Sequence, residues 1–401
     1  MPNKISCPIC KKSKFRNILN IKKFPYFTAP INKETIKKNK INNKVCNLNV
    51  INCKNCTHTF LSKLPNLDIL NDLYNKYYNY PSALNGFFKP ERDENFIRSF
   101  LKNQKVIKNK KILEVGCYDG YVLKRLKKFG CAVTGCDPSK GALIGKRHGI
   151  KIRKEFFNPK KINYGHFDYV ITRHLIEHIV DPLEWIKRLT SVLNKKGKLI
   201  VETPNVEFFL RRGLPSVFSL QHLHYFSKNS IIYLFKLANI KIEKIEENKE
   251  NLIIFAQKSK NLKIKNKIFK NKFNSYLKFQ NKYNKTKKII ETIFKIKNKI
   301  KTKKIAIWGA GGFGSVIDLF YKLPRNKISY FIDSDIKKTK MKFLNKSANI
   351  IYSNNIDKIE LNIVIIASMY GNQITNQIKN KKVNLKVLNL FPDIKILNIR
   401  K

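Results

Sequence analysis

One stretch of ten residues decides the fold in the middle of the chain: Lys111-Ile-Leu-Glu-Val-Gly-Cys-Tyr-Asp-Gly120. A short apolar run that ends in glycines predicts a strand entering a tight turn. Residues 121–129 follow with apolar positions spaced as on one face of a helix. The strand predicted after this helix ends at Asp137. This order predicts a nucleotide-binding α/β unit, because glycines let a ligand approach the backbone and a strand-end carboxylate binds ribose hydroxyls.

Further apolar segments extend this unit into a sheet. Strands are predicted at Lys151–Phe157, Asp168–Thr172 and Lys198–Thr203, with helical stretches between them. That alternation predicts an α/β fold with a doubly wound, largely parallel sheet. The late strands Ile240–Glu246 and Leu252–Gln257 lie so close in sequence that they are expected to pair antiparallel at the edge of the sheet.

A second glycine pattern occurs near the end of the chain. The apolar run 304–308 leads into Gly309-Ala-Gly-Gly-Phe-Gly314, and a helix is predicted over Ser315–Tyr321. The strand Ile328–Ile332 follows and leads directly into Asp333. The pattern predicts a Rossmann-like unit that binds a nucleotide or diphosphate through Gly309, Gly311, Gly314 and Asp333. A tight strand-to-helix turn without a ligand is the alternative.

Four of the eight cysteines form two CxxC pairs, Cys7 with Cys10 and Cys53 with Cys56. In a cytosolic protein such pairs favour metal over disulfides, and two pairs complete a closed tetrahedral zinc site. A closed site leaves no position for a substrate, so a structural role is predicted. Two unrelated pairs of reduced cysteines are the alternative.

The 401 residues carry 82 Lys+Arg against 27 Asp+Glu, a formal net charge of +55. Apolar residues make up 43% of the chain, which argues against intrinsic disorder, and the longest apolar runs are too short to span a bilayer. The N-terminus has no long apolar segment typical of a secretory signal, so a cytoplasmic location is expected. Residues 258–304 hold 18 lysines and one acidic residue, and their apolar positions recur at helical spacing. This predicts one or two basic helices whose lysines form a solvated outer face. The remaining charge is diffuse, which argues against a nucleic-acid partner.

Several motifs of the central unit together resemble the class I S-adenosylmethionine-dependent methyltransferases. They are the Glu114-x-Gly116-x-x-x-Gly120 turn, Asp137, and the segment His174-Leu-Ile-Glu-His-Ile-Val-Asp-Pro182. Metal binding by that segment is disfavoured, because the H-E-x-x-H order of metalloproteases is absent. The resemblance implies S-adenosylmethionine as cofactor, bound by Glu114, Gly116, Tyr118, Gly120, Asp137, Pro138, Phe157, Arg173 and His174.

The order of the three units resembles the sugar C-methyltransferases, which act on nucleotide-linked sugars carrying a keto group. This resemblance implies a zinc-binding domain at 1–66, a methyltransferase domain at 67–257, a basic helical linker at 258–303 and a Rossmann-like domain at 304–401. It also implies structural zinc and a small-molecule partner, a nucleotide-linked sugar. The oligomeric state is not addressed by these patterns.

The same resemblance implies the catalytic residues. The stretch Leu220-Gln-His-Leu-His-Tyr-Phe-Ser227 corresponds to a family segment in which a histidine removes a proton beside the keto group, which places the base at His222. Gln221 stands where the family has a glutamate, and Tyr78 and Tyr80 match tyrosines that close over the sugar. Since Gln221 is not a carboxylate, O- or N-methylation of a sugar or other polar molecule is the alternative. RNA methylation and a non-catalytic binding role are less favoured.

Overall fold

The computed structural model divides into two compact units, and each is discontinuous along the chain. The first unit comprises Met1–Ile18, Val50–Phe208 and Gln221–Lys272, and the second comprises Leu19–Asn49, Phe209–Leu220 and Phe273–Lys401. The structure describes residues 5–39, 44–76, 82–85, 90–104, 106–248, 250–259, 274–296, 304–323, 325–344, 346–381, 383–391 and 394–399. The domain boundaries implied by the sequence stay predictions.

The N-terminal region forms a small antiparallel sheet that carries the CxxC pairs. Its strands have the order β1-β3-β4-β10. The elements of this region are β1 (Phe15–Pro25), β2 (Ile31–Asn32), α1 (Lys33–Asn39), β3 (Val45–Cys53), β4 (Thr59–Leu61) and α2 (Leu67–Lys76). The fourth strand, β10 (His224–Tyr225), comes from far along the sequence and pairs with β4. The segment with the candidate base is therefore tied to the cysteine region by backbone hydrogen bonds.

A seven-stranded sheet forms the centre of the first unit, in the order β11-β12-β9-β8-β5-β6-β7. The strands β5 to β9 pair in parallel, and β9, β12 and β11 pair antiparallel at one edge. Its strands are β5 (Lys111–Val115), β6 (Ala132–Cys136), β7 (Ile152–Arg153), β8 (Phe167–Arg173), β9 (Leu193–Pro204), β11 (Ile240–Asn248) and β12 (Asn251–Lys258). The helices of the first unit are α3 (Glu91–Asn103), α4 (Tyr121–Lys127), α5 (Gly141–Arg147), α6 (Pro182–Ser191) and α8 (Lys228–Leu237). The boundary between the two units falls within α7 (Val206–Arg212).

This topology confirms the predicted α/β fold, including the antiparallel edge pair. One predicted strand is much shorter than expected, since Lys151–Phe157 keeps only Ile152–Arg153 as β7. The central strands are apolar on both faces because helices cover both sides of a parallel sheet. In β5, for example, every residue from Ile112 to Val115 is buried.

Two helix starts near the candidate site are fixed by their caps. The Asp181 carboxylate accepts hydrogen bonds from the backbone N–H groups of Leu183 and Glu184 and so begins α6. Ser227 and Ser230 form a capping box at the start of α8, just after β10. The two caps fix where α6 begins after the segment 174–180 and where α8 begins after β10.

The second unit contains a six-stranded sheet in the order β16-β14-β13-β17-β18-β19, parallel except for its last pair. The elements are α9 (Asn274–Ile296), β13 (Ile305–Trp308), α10 (Gly312–Tyr321), β14 (Ile328–Asp333), β15 (Met341–Lys342), β16 (Asn349–Tyr352), β17 (Ile363–Ile366), α11 (Gly371–Lys379), β18 (Leu385–Asn389) and β19 (Lys395–Ile399). The second Rossmann-like fold is thus confirmed. The helix expected in the basic region is α9.

The insertion at Leu19–Asn49 belongs to this second unit. Its strand β2 pairs antiparallel with β15, with Asn32 opposite Met341. The Phe24 ring meets the Phe320 ring of α10 edge-on at a centroid distance of 5.8 Å. Among the described residues, no helix is long and apolar enough to cross a membrane.

Candidate active site

The first glycine turn, residues 116–120, connects β5 to α4. Gly116 has φ +79° and Gly120 has φ +74°, so both adopt the left-handed conformation that favours glycine. A Cβ atom on Gly116 would lie 2.8 Å from Leu175 Cδ2. The Gly116 N–H donates to the carbonyl of Cys136 at 2.8 Å, which holds the turn against the end of β6. The left-handed conformation of Gly116 therefore favours glycine, and an added methyl group would also displace the end of the Leu175 side chain.

Asp137 closes this turn from the neighbouring strand. Its Oδ2 accepts from the Tyr118 N–H and its Oδ1 accepts from the Ser139 N–H, each at 2.8 Å. Tyr118 itself has φ +48°, and the half-buried Pro138 follows the carboxylate. The structure thus brings five predicted cofactor residues to one end of the sheet: Gly116, Tyr118, Gly120, Asp137 and Pro138. Their contact with a cofactor stays a prediction.

A buried ion-pair network lies beneath this end of the sheet. The Arg173 guanidinium lies 2.9 Å from Asp93 Oδ1, 2.7 Å from Glu202 Oε2 and 3.9 Å from Glu114 Oε1. Burial lowers the pKa of Arg173, but the three carboxylates outweigh burial and raise it. Burial raises the pKa of Glu114 to about 8, although Arg173 opposes that shift. Glu114 and Arg173, both predicted cofactor residues, are therefore paired with one another, and Arg173 also anchors α3 through Asp93.

The remaining predicted cofactor residues have different surroundings. Phe157 is buried against Tyr164 and Trp185, with ring centroids at 4.8 and 5.7 Å, whereas the Phe156 side chain is 64% exposed. His174 follows the end of β8 in a left-handed conformation with φ +48°. Burial lowers the pKa of His174, and nearby arginines lower it further. The ring is therefore neutral near pH 7.

The candidate base His222 lies beside two residues of the 174–178 segment. The rings of His178 and His222 are perpendicular, with centroids 4.9 Å apart. Polar atoms of Glu177, His178 and His222 all lie within 4.8 Å of one another. His178 Nδ1 donates to the backbone carbonyl of Gln221 at 2.7 Å. Two segments that are far apart in the sequence thus meet in one cluster, which no local spacing could have indicated.

Burial sets the protonation of this cluster. It raises the pKa of Glu177 to about 8 and lowers that of His178 to about 4. The Glu177 Oε2 atom accepts from the Thr203 hydroxyl at 3.0 Å. His178 is thus neutral near pH 7, and its ring orientation is fixed by the Gln221 carbonyl. Tyr78 and Tyr80, the predicted sugar-closing pair, lie outside the described residues.

The two CxxC pairs come together in one thiol cluster. Cys7 Sγ lies 3.5 Å from Cys56 Sγ, and Cys10 Sγ lies 3.5 Å from Cys53 Sγ. All four sulfurs lie within 4.8 Å of one another, and three of the four residues are buried. Tetrahedral zinc with Zn–S bonds of about 2.3 Å would hold sulfurs about 3.8 Å apart, so the donor set fits zinc.

Matching backbone turns present these thiols. In the first, Lys11 N–H donates to Cys7 O at 3.0 Å; in the second, Thr57 N–H donates to Cys53 O at 3.0 Å. Lys11 and Thr57 both have positive φ, at +60° and +62°. We call residues 53–58 the second cysteine knuckle. The side-chain interaction with Cys53 raises the pKa of the Cys56 thiol.

The second glycine turn, residues 309–314, connects β13 to α10. Gly309 has φ +116°, and its N–H donates to the Ile332 carbonyl at 2.9 Å. A Cβ on Gly314 would lie 2.0 Å from the Gly309 carbonyl oxygen, whereas a Cβ on Gly311 would meet no atom within 4 Å. Packing therefore explains Gly314 and leaves the face of Gly311 open.

Asp333 closes the second turn. Its Oδ2 accepts from the Ala310 N–H at 3.0 Å and also pairs with Lys338 Nζ at 2.8 Å. Its Oδ1 accepts from the Asp335 N–H at 3.0 Å. The structure thus brings the predicted second ligand site together, and it adds a lysine that the sequence pattern did not reveal.

The central sheet matches a known family. Strands β5 to β9 and the first glycine turn lie within residues 90–245, which match a family model described as a methyltransferase domain. This part of the chain is therefore similar to methyltransferases. The fold is the α/β Rossmann-like fold of methyltransferases, as predicted from the first glycine turn.

Several known proteins are similar to this part of the chain. The ubiquinone biosynthesis O-methyltransferase of Coxiella burnetii is 30% identical over 131 residues, which are 31% of this chain and 56% of that protein. The protein of the same name from Pelagibacter ubique is 28% identical over 139 residues, or 30% of this chain and 58% of that protein. The chain thus spans just over half the length of these relatives.

Among solved structures, the chain is similar to the magnesium protoporphyrin IX methyltransferase of Synechocystis PCC 6803 with bound SAH. That protein is 14% identical, and the match covers 48% of this chain and 100% of its own, with a TM-score of 0.38.

Proposed function

We propose that the chain transfers a methyl group from S-adenosylmethionine to a nucleotide-linked sugar, at a carbon beside a keto group. The observation that carries the methyl transfer is the match of residues 90–245 to a methyltransferase domain, with Gly116, Tyr118 and Asp137 assembled at one end of its sheet. When bound, S-adenosylmethionine supplies an electrophilic methyl group on a sulfonium sulfur. The chain's own residues bind and orient both reactants.

The first glycine turn is suited to hold the cofactor. Its glycines leave the backbone open, and Asp137, already oriented by two backbone N–H groups, has the carboxylate that ribose hydroxyls require. The Arg173 network places buried charge beneath the turn and fixes the start of α3. In this proposal Gly116 and Gly120 lie against the methionine part and Asp137 binds the ribose.

His222 is proposed to accept the proton from the carbon beside the keto group. Histidine suits this step, since its ordinary pKa lies near neutrality. With both reactants bound, the electrons of the broken C–H bond would form an enolate, and the enolate carbon would take the methyl group. The electrons of the methyl–sulfur bond would stay on sulfur, and His222 would hold the proton. The neutral His178 next to His222 adds no positive charge that would oppose protonation of the base. The cysteine cluster and the second glycine turn support the sugar substrate, because they accompany this domain in the family that the sequence resembles.

We also propose that Cys7, Cys10, Cys53 and Cys56 bind a structural zinc ion. The sulfur separations of 3.5 Å support four thiolates around one tetrahedral ion. When bound, the ion would hold the two knuckles together and leave no open position for a substrate. Zinc content of the purified chain by mass spectrometry, with Cys53→Ser as the deficient variant and Cys46→Ser as the matched control, tests this assignment.

A second candidate function is O-methylation of a polar small molecule. The two curated relatives are named as O-methyltransferases, and Gln221 lacks the carboxylate that would strengthen a neighbouring base. A hydroxyl proton is more acidic than a carbon-bound one, so a weaker base suffices.

Product analysis distinguishes the two functions. The zinc-containing protein is incubated with S-adenosylmethionine and a panel of keto and non-keto nucleotide sugars, hydroxylated aromatics and RNA. A product heavier by one methyl, with the methyl located on carbon by NMR, is the expected result. A methyl on oxygen would support the second candidate, and methylation of RNA alone would contradict both. His222→Asn is expected to abolish C-methylation and keep S-adenosylmethionine binding, while the exposed His148→Asn keeps both.

A further inference from the structure

Two buried histidines connect the second cysteine knuckle to the candidate catalytic segment. His58 Nε2 lies 3.0 Å from His224 Nδ1, within hydrogen-bonding distance, although the two residues are far apart in the sequence. His58 is 0% exposed and His224 is 3% exposed. One ring donates and the other accepts, so the pair satisfies two polar groups that burial would otherwise leave without water.

The pair begins in the knuckle itself. His58 is the last knuckle residue, and its carbonyl accepts from the Cys53 N–H at 2.8 Å. The Asn52 side chain donates to the Thr57 carbonyl at 2.7 Å and so braces the same loop. The His58 ring stacks on Phe60 with an interplanar angle of 6° and lies 5.1 Å from the Phe226 ring. The position of the His58 ring is thus set by the fold of the cysteine knuckle.

The pair ends two positions along the chain from the candidate base. His224 begins β10 and lies opposite Phe60 of β4. Leu61 N–H donates to the Leu223 carbonyl at 3.1 Å, which continues the pairing to the residue next to His222. The knuckle side of the segment is therefore held by backbone and side-chain bonds together.

The other side of the segment is held by the turn that carries Glu177 and His178. Leu223 N–H donates to the Glu177 carbonyl at 2.8 Å, and His178 Nδ1 donates to the Gln221 carbonyl at 2.7 Å. His222 therefore lies in a short segment that is fixed from two directions. Glu177 and His178 hold one side. Leu61 of β4 and His58 of the knuckle hold the other.

We propose that His58 and His224 are positioning residues, which align His222 by joining its segment to the second cysteine knuckle. The inference rests on the proposed role of His222 as base. It gives the cysteine cluster a specific role in the reaction. The second cysteine knuckle fixes one side of the site, so a change in the knuckle would also shift the position of His222. A displacement of His222 by about 1 Å would be enough to slow proton removal severely.

The test compares variants that break the pair with variants that preserve it. His58→Phe and His224→Phe keep an aromatic ring and remove the nitrogen atoms, whereas His58→Gln keeps a side chain able to donate or accept. The exposed His148→Gln is the matched control. For each protein, zinc content, the Kd for S-adenosylmethionine, kcat and KM are measured.

The expected result is a fall in kcat of about tenfold or more for each phenylalanine variant, with zinc retained and the Kd for S-adenosylmethionine within about twofold. His58→Gln is expected to recover most of kcat. The double variant is expected to be no slower than the slower single variant, because one interaction is lost only once. Zinc or cofactor binding lost in both phenylalanine variants would overturn the proposal, since the pair would then support folding alone.

A second measurement does not depend on turnover. The ring C–H signals of the histidines are recorded by NMR with S-adenosylhomocysteine bound, and the His222 signal is identified from His222→Asn. His58→Phe is expected to move the His222 signal, and His58→Gln to return it toward its original position. A His222 signal that is unchanged in His58→Phe overturns the positioning role. If the signal moves and no substrate is methylated by the unmodified protein, the proposed function fails while the positioning link stands.

Discussion

The first and second glycine turns are built on the same plan and differ in how their aspartates are engaged. In both, the first glycine has positive φ and donates its N–H to the carbonyl that precedes the aspartate. In both, the aspartate accepts one N–H from the turn and another from the second residue after itself. Asp333 additionally forms an ion pair with Lys338. The same sequence pattern therefore produces two turns that differ at the aspartate. A ligand hydroxyl that binds Asp333 must compete with the Lys338 ammonium group as well as with backbone N–H groups.

Acid is expected to produce the largest difference between the two units, and it should lower the unfolding free energy of the first unit more than that of the second. All seven histidines lie in the first unit. Burial lowers the pKa of His178 and of His224 from 6.5 to about 4. The stability that these neutral rings contribute is complete above pH 6.5 and is lost as the pH falls toward 4, since the unfolded chain binds protons first. Each contributes a loss of up to about 1.4 kcal/mol per pH unit.

The two tryptophans allow this prediction to be checked unit by unit. Trp308→Phe leaves Trp185 as a fluorescent reporter of the first unit, and Trp185→Phe leaves Trp308 as a reporter of the second. Glu114 and Glu177 act in the opposite sense, because their raised pKa values stabilise the folded state as the pH falls. Four buried histidines have lowered pKa values, His58, His174, His178 and His224, and together they outweigh the two carboxyls. The urea midpoint reported by Trp185 is therefore expected to fall more between pH 7 and pH 5 than the midpoint reported by Trp308. Equal falls would mean that the buried histidines do not set the acid sensitivity.

Replacing the turn glycines by alanine is expected to destabilise the protein where the added methyl group meets other atoms, and to have little effect where it meets none. Gly314→Ala places its Cβ 2.0 Å from a backbone oxygen that cannot move cheaply, so a loss of about 3 kcal/mol or more is expected. Gly120→Ala meets the flexible end of Ile152 but has φ +74°, which predicts a loss of about 1–3 kcal/mol. Gly311→Ala meets nothing and is expected to change stability by less than about 0.5 kcal/mol. Urea unfolding of the three variants measures these values, and a large cost at Gly311 would contradict the packing description.

Removal of one carboxylate charge is expected to distinguish the turns by ligand. Asp137→Asn should weaken S-adenosylmethionine binding by about tenfold or more, because a charged acceptor is lost. Asp333→Asn should leave that affinity within about twofold. Isothermal titration of both variants provides the comparison. Equal weakening by the two substitutions would show that the first glycine turn is not the cofactor site.

The smallest effect is expected at the lysine that distinguishes the turns. Lys338 is 28% exposed at its side chain, so Lys338→Ala should cost less than about 1 kcal/mol in the unfolding of the second unit. The exposed Lys340→Ala is the control and should cost nothing measurable. A loss of several kcal/mol in Lys338→Ala would mean that the ion pair, and not the backbone, holds Asp333 in place.

The strand order and both glycine turns could be predicted because they depend on local patterns. An apolar run before a glycine and an aspartate at the end of the next strand specify a βαβ unit within one short stretch of chain. The four thiols were likewise predictable, since each CxxC pair is a local turn. Fold class and cysteine cluster were therefore accessible from the sequence.

The cluster around His222 was not accessible in that way. Its partners His178 and Glu177 lie on a distant segment of the chain, and His58 is more distant still from His224. Such contacts depend on where β10 pairs with β4, and so short a strand has no periodicity to reveal its partner. The burial of Phe157 was also not accessible, because β7 ends at Arg153 and strand alternation does not extend to that residue. Long-range pairing and strand length set these positions.

The discontinuous second unit has a consequence for the order in which the chain can fold during synthesis. Leu19–Asn49 emerges early, yet its partner strand β15 at Met341–Lys342 is made only after all of residues 90–245. The cysteine pairs that flank this insertion can gather as soon as Cys56 has been made. Apolar residues of the insertion such as Phe24 stay exposed until α10, which covers them, has been synthesised. In a nascent chain the insertion is therefore a loop whose two ends are held together by the cysteine pairs while its apolar residues stay exposed. Shortened chains that end before β15 should depend on chaperones to stay in solution.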